Sequence, residues 1–216
     1  MESTSSKAKG SAKGSVESAG QVAAKGAFRP MRRRRQEMGL GQTMEMLCAG
    51  EYGVLALASP DDVFPYAVPI SYAVLDARAC AGQATALHDE GQASGPKTEM
   101  DAPDAPICTL VMHCALEGHK LDLIEQSARA CFTVVGHSEV APEKLTAIYA
   151  SVMAFGTVRV VEDSCERAAA FAALGAKYCP GLDEFVAEEV AAFDARTTVL
   201  ALDVAHLSGK QAKELV

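Results

Sequence analysis

Several features that are common in secreted, membrane and metal proteins are missing from this sequence. The chain of 216 residues has no tryptophan, and its seven cysteines form no C-x-x-C pair and are odd in number, so neither a disulfide framework nor a zinc ribbon is indicated. No apolar run reaches the roughly 18 residues of a transmembrane helix. Residues 1–30 lack the apolar core of a secretion signal. We therefore predict a cytoplasmic protein without a membrane partner.

The charge is distributed unevenly along the chain. The net charge is −8, but residues 1–35 carry nine Lys or Arg and two Asp or Glu, which leaves −15 on the remainder. An acidic body repels nucleic acid, and the run Arg32 to Arg35 has no interleaved aromatic residues. A solvated run, or a local contact to a bound phosphate, is favoured over a nucleic-acid anchor, so we expect no nucleic-acid partner.

The composition predicts one folded domain with two appendages. Residues 1–30 are mostly Ser, Ala, Gly and Lys, which bury too little apolar area to offset their ordering entropy, so they predict a flexible low-complexity tail. Residues 31–216 are long enough for one domain with a core. Within this domain, residues 77–106 are rich in Gly, Ala, Ser, Asp and Pro and predict a long loop insertion.

Hydrophobic periodicity and turn residues predict about six strands and several short helices. The predicted strands are 53–58, 64–75, 107–114, 130–135, 149–161 with an interruption at Gly156, and 197–206. The predicted helices are 42–49, 117–126, 167–178 with Ser164 as N-cap, and 183–193. Residues 59–62 predict the turn of a hairpin between the first two strands. Because these elements do not alternate as β-α-β units, we predict an α+β fold, mostly β, in which a mainly antiparallel barrel is flanked by helices.

The second predicted strand has one bulky face and one small face. Tyr66, Val68, Ile70, Tyr72 and Val74 alternate with the small residues Ala67, Pro69, Ser71 and Ala73. Pro69 removes a ladder donor, so it predicts a sheet edge or a bulge. A flat ligand could lie against the small face, although an ordinary edge strand would carry the same pattern.

Residues 112–122 predict the end of an apolar strand that leads into a helix. The first backbone N–H groups of a helix have no partner within the helix, and Gly118 would let a ligand approach the backbone. With His119 and Lys120 beside them, these groups would bind a phosphate. The alternative is that Lys120 is a solvated residue of the first helical turn.

A metal site is the other possibility in this region. Cys108, His113, Cys114 and His119 are ligand types at short spacing. However, adjacent residues of a strand face opposite ways, which separates His113 from Cys114. We therefore predict no metal site.

Five segments together resemble one protein family in the same order along the chain. They are the arginine-rich start at Met31, the strand 66–72, the stretch from His113 to Asp122, residues 149–156, and the terminal residues 207–210. These segments, over about residues 31–210, resemble the pyridoxamine 5′-phosphate oxidase-like flavoproteins, in particular the nitroimidazole-resistance (Nim-type) branch.

The resemblance implies a split β-barrel of the FMN-binding type that forms a homodimer, with FMN at the dimer interface. It places His113 near the flavin ring and Lys120 near the phosphate. His119 matches the family pattern, and Ser151 would be a further phosphate or ribityl contact. The strand along the edge of the isoalloxazine ring would be formed by Val68, Pro69, Ile70 and Ser71.

The resemblance also implies an activity. The arginine- and proline-containing C-terminal signature of true pyridoxamine 5′-phosphate oxidases is absent here, which makes vitamin B6 oxidation doubtful. The expected activity is reduction of a small molecule, such as a nitroaromatic or a quinone, with electrons from a nicotinamide donor. His113 is the candidate catalytic residue, since histidine exchanges protons near neutral pH. The alternative is a non-catalytic carrier or sensor that binds FMN or haem, with His113 and His119 as possible axial ligands.

Overall fold

The computed structural model describes residues 28–59, 64–75 and 105–216. The predicted tail up to residue 27, most of the predicted hairpin turn and most of the predicted loop insertion lie outside the described residues. Seven strands and four helices form the described part, together with short 3-10 turns. The strands are β1 Tyr52–Leu57, β2 Tyr66–Ser71, β3 Ala73–Leu75, β4 Cys108–Ala115, β5 Arg129–Ala141, β6 Thr146–Val160 and β7 Thr197–Gln211. The helices are α1 Leu40–Ala49, α2 His119–Gln126, α3 Ser164–Tyr178 and α4 Asp183–Phe193.

All seven strands belong to one antiparallel sheet that curls on itself. The strand order is β2-β1-β5-β6-β7-β4-β3, so β2 and β3 form its two edges. Only Tyr72 separates these two strands in the chain, and two residues span at most about 7 Å. The two edges therefore lie close together, and the sheet is a half-barrel. This arrangement confirms the predicted antiparallel split barrel with flanking helices.

The prediction of a single strand over residues 64–75 was wrong, because the chain changes edges at Tyr72. The Tyr72 backbone N–H donates to the Tyr178 hydroxyl at 2.9 Å instead of to a neighbouring strand. The Tyr72 side chain is fully buried, and its hydroxyl donates to the carbonyl oxygen of Leu47 in α1. These tertiary bonds replace the ladder at the point where the barrel is split.

The core fills the barrel and continues beneath one helix. Alternate residues of the strands point inward, together with Leu47 of α1 and Leu123 and Ile124 of α2. A second cluster lies on the outer side of β3, β4 and β7, where α3 covers it with Ala170 and Leu174. The outer face of β1, β5 and β6 instead exposes large apolar side chains. Examples are Tyr52 at 62%, Val135 at 60% and Met153 at 40% exposure.

Some element boundaries differ from those predicted. The strand predicted to begin at residue 149 begins at Thr146, and the last strand continues to Gln211. Asp163, not Ser164, caps α3, since its Oδ1 accepts the Glu166 N–H at 2.8 Å. No helix among the described residues is long and apolar enough to cross a membrane.

Strand β6 runs unbroken through Gly156, so the predicted interruption of the strand was wrong, but its register with β7 shifts at this position. A Cβ atom at this position would lie 2.0 Å from the Asp203 carbonyl oxygen. The close approach of the two backbones therefore requires glycine.

Candidate functional site

The small face of β2 is open on the outside of the barrel. Ala67, Pro69 and Ser71 are exposed, whereas the bulky residues between them are half-buried and pack against the barrel core. Strand β2 is an edge strand, which confirms the edge position predicted from Pro69. Val68 and Ile70 therefore present only their backbone to a ligand on the outer side. Ser71 can also offer its hydroxyl there.

The start of α2 lies beside the first residue of β2. Gly118 precedes the helix with φ 138° and ψ 159°, a conformation that favours glycine. His119 is the first helical residue, and its ring meets the Tyr66 ring edge-on with centroids 5.2 Å apart. The predicted helix start is thus found at one end of the β2 strand.

Lys120 lies against the sulfur of Cys114 at the end of β4. Burial raises the pKa of the Cys114 thiol, and the charge and hydrogen bond of Lys120 only partly offset this effect. The thiol therefore stays protonated at neutral pH and does not cancel the charge of the lysine. Lys120 thus supplies a positive charge at the helix start, where a phosphate would be placed.

His113 does not share a face with the Cys114–Lys120 pair. It is exposed and lies on the same side of β4 as Val111, which is buried beneath α3. Cys114 points the other way and packs against the barrel core. Since neighbouring strand residues alternate between faces, one protomer keeps the imidazole and the Lys120 ammonium apart. The catalytic role of His113 stays a prediction.

Ser151 lies on the outer face, but far from β2. It is half-buried beside the buried Val152, and it pairs with Lys210 of β7. Strands β1 and β5 separate it from β2, which amounts to roughly 14 Å across three strand spacings. One protomer therefore brings together β2, His119 and Lys120, but not Ser151.

Two residues near Ser151 had no role in the sequence analysis. The Lys210 ammonium donates to the Tyr149 hydroxyl at 2.8 Å, and both residues lie on the same side of the sheet as Ser151. Both belong to segments that carried the family resemblance, but only their pairing across β6 and β7 shows that they meet. A charge beside a phenol on an exposed strand was not recognisable from spacing alone.

These features define a split-barrel protein with a flat, small-residue edge strand beside a basic helix start. A family model described as pyridoxamine 5′-phosphate oxidase matches residues 41–211. The chain therefore belongs to the pyridoxamine 5′-phosphate oxidase-like family. A search of curated proteins gave no match.

Solved structures share the fold at low sequence identity. A candidate 5-nitroimidazole antibiotic resistance protein from Bacteroides thetaiotaomicron has a TM-score of 0.52 at 15% identity, over 81% of this chain and 85% of that one. A FAD- and haem-binding protein from Mycobacterium smegmatis has a TM-score of 0.55 at 20% identity, over 82% and 74%. A flavocytochrome from Azotobacter vinelandii has a TM-score of 0.56 at 15% identity, over 85% and 72%. At these low sequence identities, the structural similarity establishes a shared fold alone.

Proposed function

We propose that this protein is an FMN-dependent oxidoreductase of small molecules that works as a homodimer. The observation that carries the proposal is that the α2 start with Lys120 lies at the Tyr66 end of β2, the strand whose small face is exposed on the outside of the barrel. A flat ring system fits the first feature, and a phosphate fits the second. Membership of the pyridoxamine 5′-phosphate oxidase-like family supports both assignments.

The α2 start would hold the phosphate of the cofactor. Lys120 provides a full charge, and the first N–H groups of the helix provide donors next to Gly118. His119 lies beside them, where its ring is positioned by the contact with Tyr66. These groups bind and orient the phosphate without taking part in electron transfer.

The outer face of β2 would hold the flavin ring. Val68, Pro69 and Ile70 contribute a flat backbone surface there, and Ser71 contributes a hydroxyl that can hydrogen-bond to the ring. When bound, FMN supplies the two-electron chemistry between a nicotinamide donor and an acceptor. We propose His113 as the residue that holds and releases a proton, and nitroaromatics or quinones as the acceptors.

A second copy of the chain would complete the site. Ser151 lies too far from β2 to reach the same ligand within one protomer, whereas Ser151 of the partner subunit could reach it across an interface. The exposed apolar residues of the outer face, such as Val54, Val135 and Met153, favour such an interface. FMN would then lie between the two subunits.

An FMN titration followed by a reduction assay tests this proposal. We expect flavin fluorescence to be quenched on binding, and the loaded protein to oxidise NADH or NADPH in the presence of a nitroaromatic or a quinone. Flavin binding without turnover of any acceptor would reduce the function to a carrier. Failure to bind FMN at all would contradict the proposal.

Haem binding is the alternative, and two neighbours of the same fold are described as haem or cytochrome proteins. His113 and His119 are the candidate axial ligands, but they lie on β4 and at the α2 start with different orientations. A haemin titration distinguishes the two functions. A Soret band that is lost in the His113→Ala or His119→Ala variant would favour haem, and its persistence in both would exclude these ligands.

A further inference from the structure

A basic cavity lies at the far end of the sheet from α2. It has a volume of about 590 Å³ and is formed where the β5–β6 hairpin, the end of β7 and the N-terminal segment meet. Four cationic side chains line it, whereas Glu214 is its one acidic lining residue. The cations are Arg33, Lys144, Lys210 and Lys213. The volume is in the range of small-molecule sites.

The arginine run of the sequence is brought to this cavity by backbone contacts. The Met38 N–H donates to the Gly209 carbonyl oxygen at 2.9 Å, and Glu37 forms a bridge with Lys210. The 3-10 turn Arg34–Gln36 follows directly on Arg33. A second hollow of about 260 Å³ is lined by Arg32, Arg33 and Lys210. Part of the arginine run therefore lines a concave surface, so the run is not a uniformly solvated tail.

The polar groups of the cavity are incompletely satisfied. The Gln36 side-chain oxygen is buried and has no hydrogen-bond partner within the part of the chain that the structure describes. Glu214 lies 3.5 Å from the Lys144 ammonium and 4.0 Å from that of Lys213. One carboxylate cannot neutralise four cations, and grouping like charges around a cavity is unfavourable without a counter-anion. A ligand with several negative charges and a donor group would satisfy both features.

Within one protomer, the cavity is separate from the Lys120 site. At the α2 end, Tyr66 pairs with Leu57, which pairs with Ala130 of β5. At the cavity, Lys210 pairs with Ser151, which pairs with Val135 of β5. Ala130 and Val135 are five residues apart on β5, or about 17 Å along the strand. A single phosphate group beside Lys120 therefore cannot also occupy the cavity of the same protomer.

We propose that this cavity is a second anion site, which binds a phosphate-bearing small molecule through Arg33, Lys144 and Lys210. It goes beyond the proposed flavin site, since the cavity lies apart from the Lys120 site of its own protomer, and FMN binding by the variants below tests whether it also lies apart from the flavin site of a dimer, where Ser151 is the cross-strand neighbour of Lys210. A phosphate ester or a pyrophosphate fits better than a singly charged anion, since the cations approach from three different elements. Lys210 is held towards the cavity by its hydrogen bond to Tyr149.

The test is a calorimetric titration of inorganic pyrophosphate into the full-length protein. We expect the double variant Arg33→Gln/Lys144→Gln to bind pyrophosphate about tenfold or more weakly, the usual effect of losing charge-assisted contacts. Glu214→Gln should change affinity in the opposite direction, because it releases Lys144 and Lys213 from their carboxylate partner. Arg35→Gln is the matched control, since Arg35 is exposed in the same run but lines neither hollow.

The outcomes separate this proposal from the flavin proposal. FMN binding should be unchanged in the double variant, and pyrophosphate binding should be unchanged in Lys120→Gln. Absence of pyrophosphate binding at millimolar concentration would overturn the second site, as would equal weakening by Arg35→Gln. Loss of FMN binding in the double variant would also overturn it, because the cavity would then belong to the flavin site. Unaltered melting temperatures would show that the variants are folded.

Discussion

Lys120 is the residue on which the proposed cofactor site depends most. It combines a positive charge with a position at the start of α2, next to the protonated Cys114 thiol. We expect Lys120→Ala to weaken FMN binding by roughly 1–3 kcal/mol, the usual size of a lost charge-assisted contact. The measurement is the FMN dissociation constant by fluorescence, with Arg35→Gln as the control for a lost surface charge. An unchanged constant would show that the phosphate lies elsewhere.

Buried acidic groups set the response of the fold to alkaline pH. Burial raises the pKa of the Cys131 thiol above its ordinary value of 9.0, and raises that of the Tyr72 phenol above 10.0. A group whose pKa is raised in the folded state contributes fully to the stability of the fold at pH values below its unfolded-state pKa. This stabilisation is lost as the pH rises towards the folded-state pKa. We therefore expect the free energy of unfolding to fall above about pH 9.

Urea denaturation at several pH values measures this effect. Cys131→Ala should make the alkaline decrease shallower, whereas Cys165→Ala should leave it unchanged, since Cys165 is exposed. A pH profile that is identical in wild-type protein and Cys131→Ala would show that the Cys131 thiol is not responsible.

The candidate residues were only partly predictable at this scale. The alternation of a strand already separates His113 from Cys114, but α3 decides which face of β4 is covered. The contact of His119 with Tyr66 joins segments far apart in the chain, whereas Lys120 meets Cys114 across the short connection from β4 to α2. Residue type and spacing can suggest such groups, but the contact between α2 and β2 depends on the curled sheet.

At the scale of elements, the crossing between β6 and β7 is the most sensitive position. A Cβ on Gly156 would collide with backbone atoms of Asp203, which cannot move without breaking the ladder. We expect Gly156→Ala to lower the free energy of unfolding by about 2 kcal/mol or more. Gly41→Ala in α1 is the control, because no atom lies within 4 Å of its Cβ position and alanine favours helix. Equal stability of the two variants would contradict this account of the bulge.

The split of the barrel at Tyr72 depends on Tyr178 at the end of α3. The Tyr178 hydroxyl accepts the Tyr72 N–H at 2.9 Å and lies within hydrogen-bond reach of the Tyr72 carbonyl oxygen. We expect Tyr178→Phe to cost about 1–3 kcal/mol in urea denaturation, because it leaves the backbone of the crossing residue unsatisfied. Tyr52→Phe should have little effect, since Tyr52 is 62% exposed. A neutral Tyr178→Phe substitution would show that water replaces the bond.

Most elements were predictable because their patterns are local. The helix predicted at 183–193 agrees with the structure, and the glycine singled out at 156 marks the register shift between β6 and β7. The division of residues 64–75 into two edge strands was not predictable, because it requires the bonds of Tyr72 to Leu47 and Tyr178. The extension of β5 to Ala141 was also missed, since that part is mostly exposed and has no buried face.

At the scale of the whole molecule, the exposed outer face leads to a prediction about assembly. Val135 lies on β5, the middle one of the three strands of this face, and is 60% exposed. We expect light scattering to give the wild-type protein a mass of twice its chain mass of 22.6 kDa. The Val135→Glu variant should have a measured mass closer to that of the monomer, because a charge would be buried in the interface. Phe185→Glu, on an exposed position of α4, should leave the dimer intact. A monomeric wild-type protein would contradict the shared site.

The most direct test of the account is an absorbance spectrum of the purified protein from 300 to 700 nm, before and after addition of FMN. The account predicts the two visible bands of a bound flavin, either as purified or once FMN is added, and their loss after filtration of the Lys120→Ala variant. A Soret band would favour the haem alternative instead. A spectrum that shows no retained flavin after incubation with FMN would contradict the central claim that β2 and the α2 start form a flavin site.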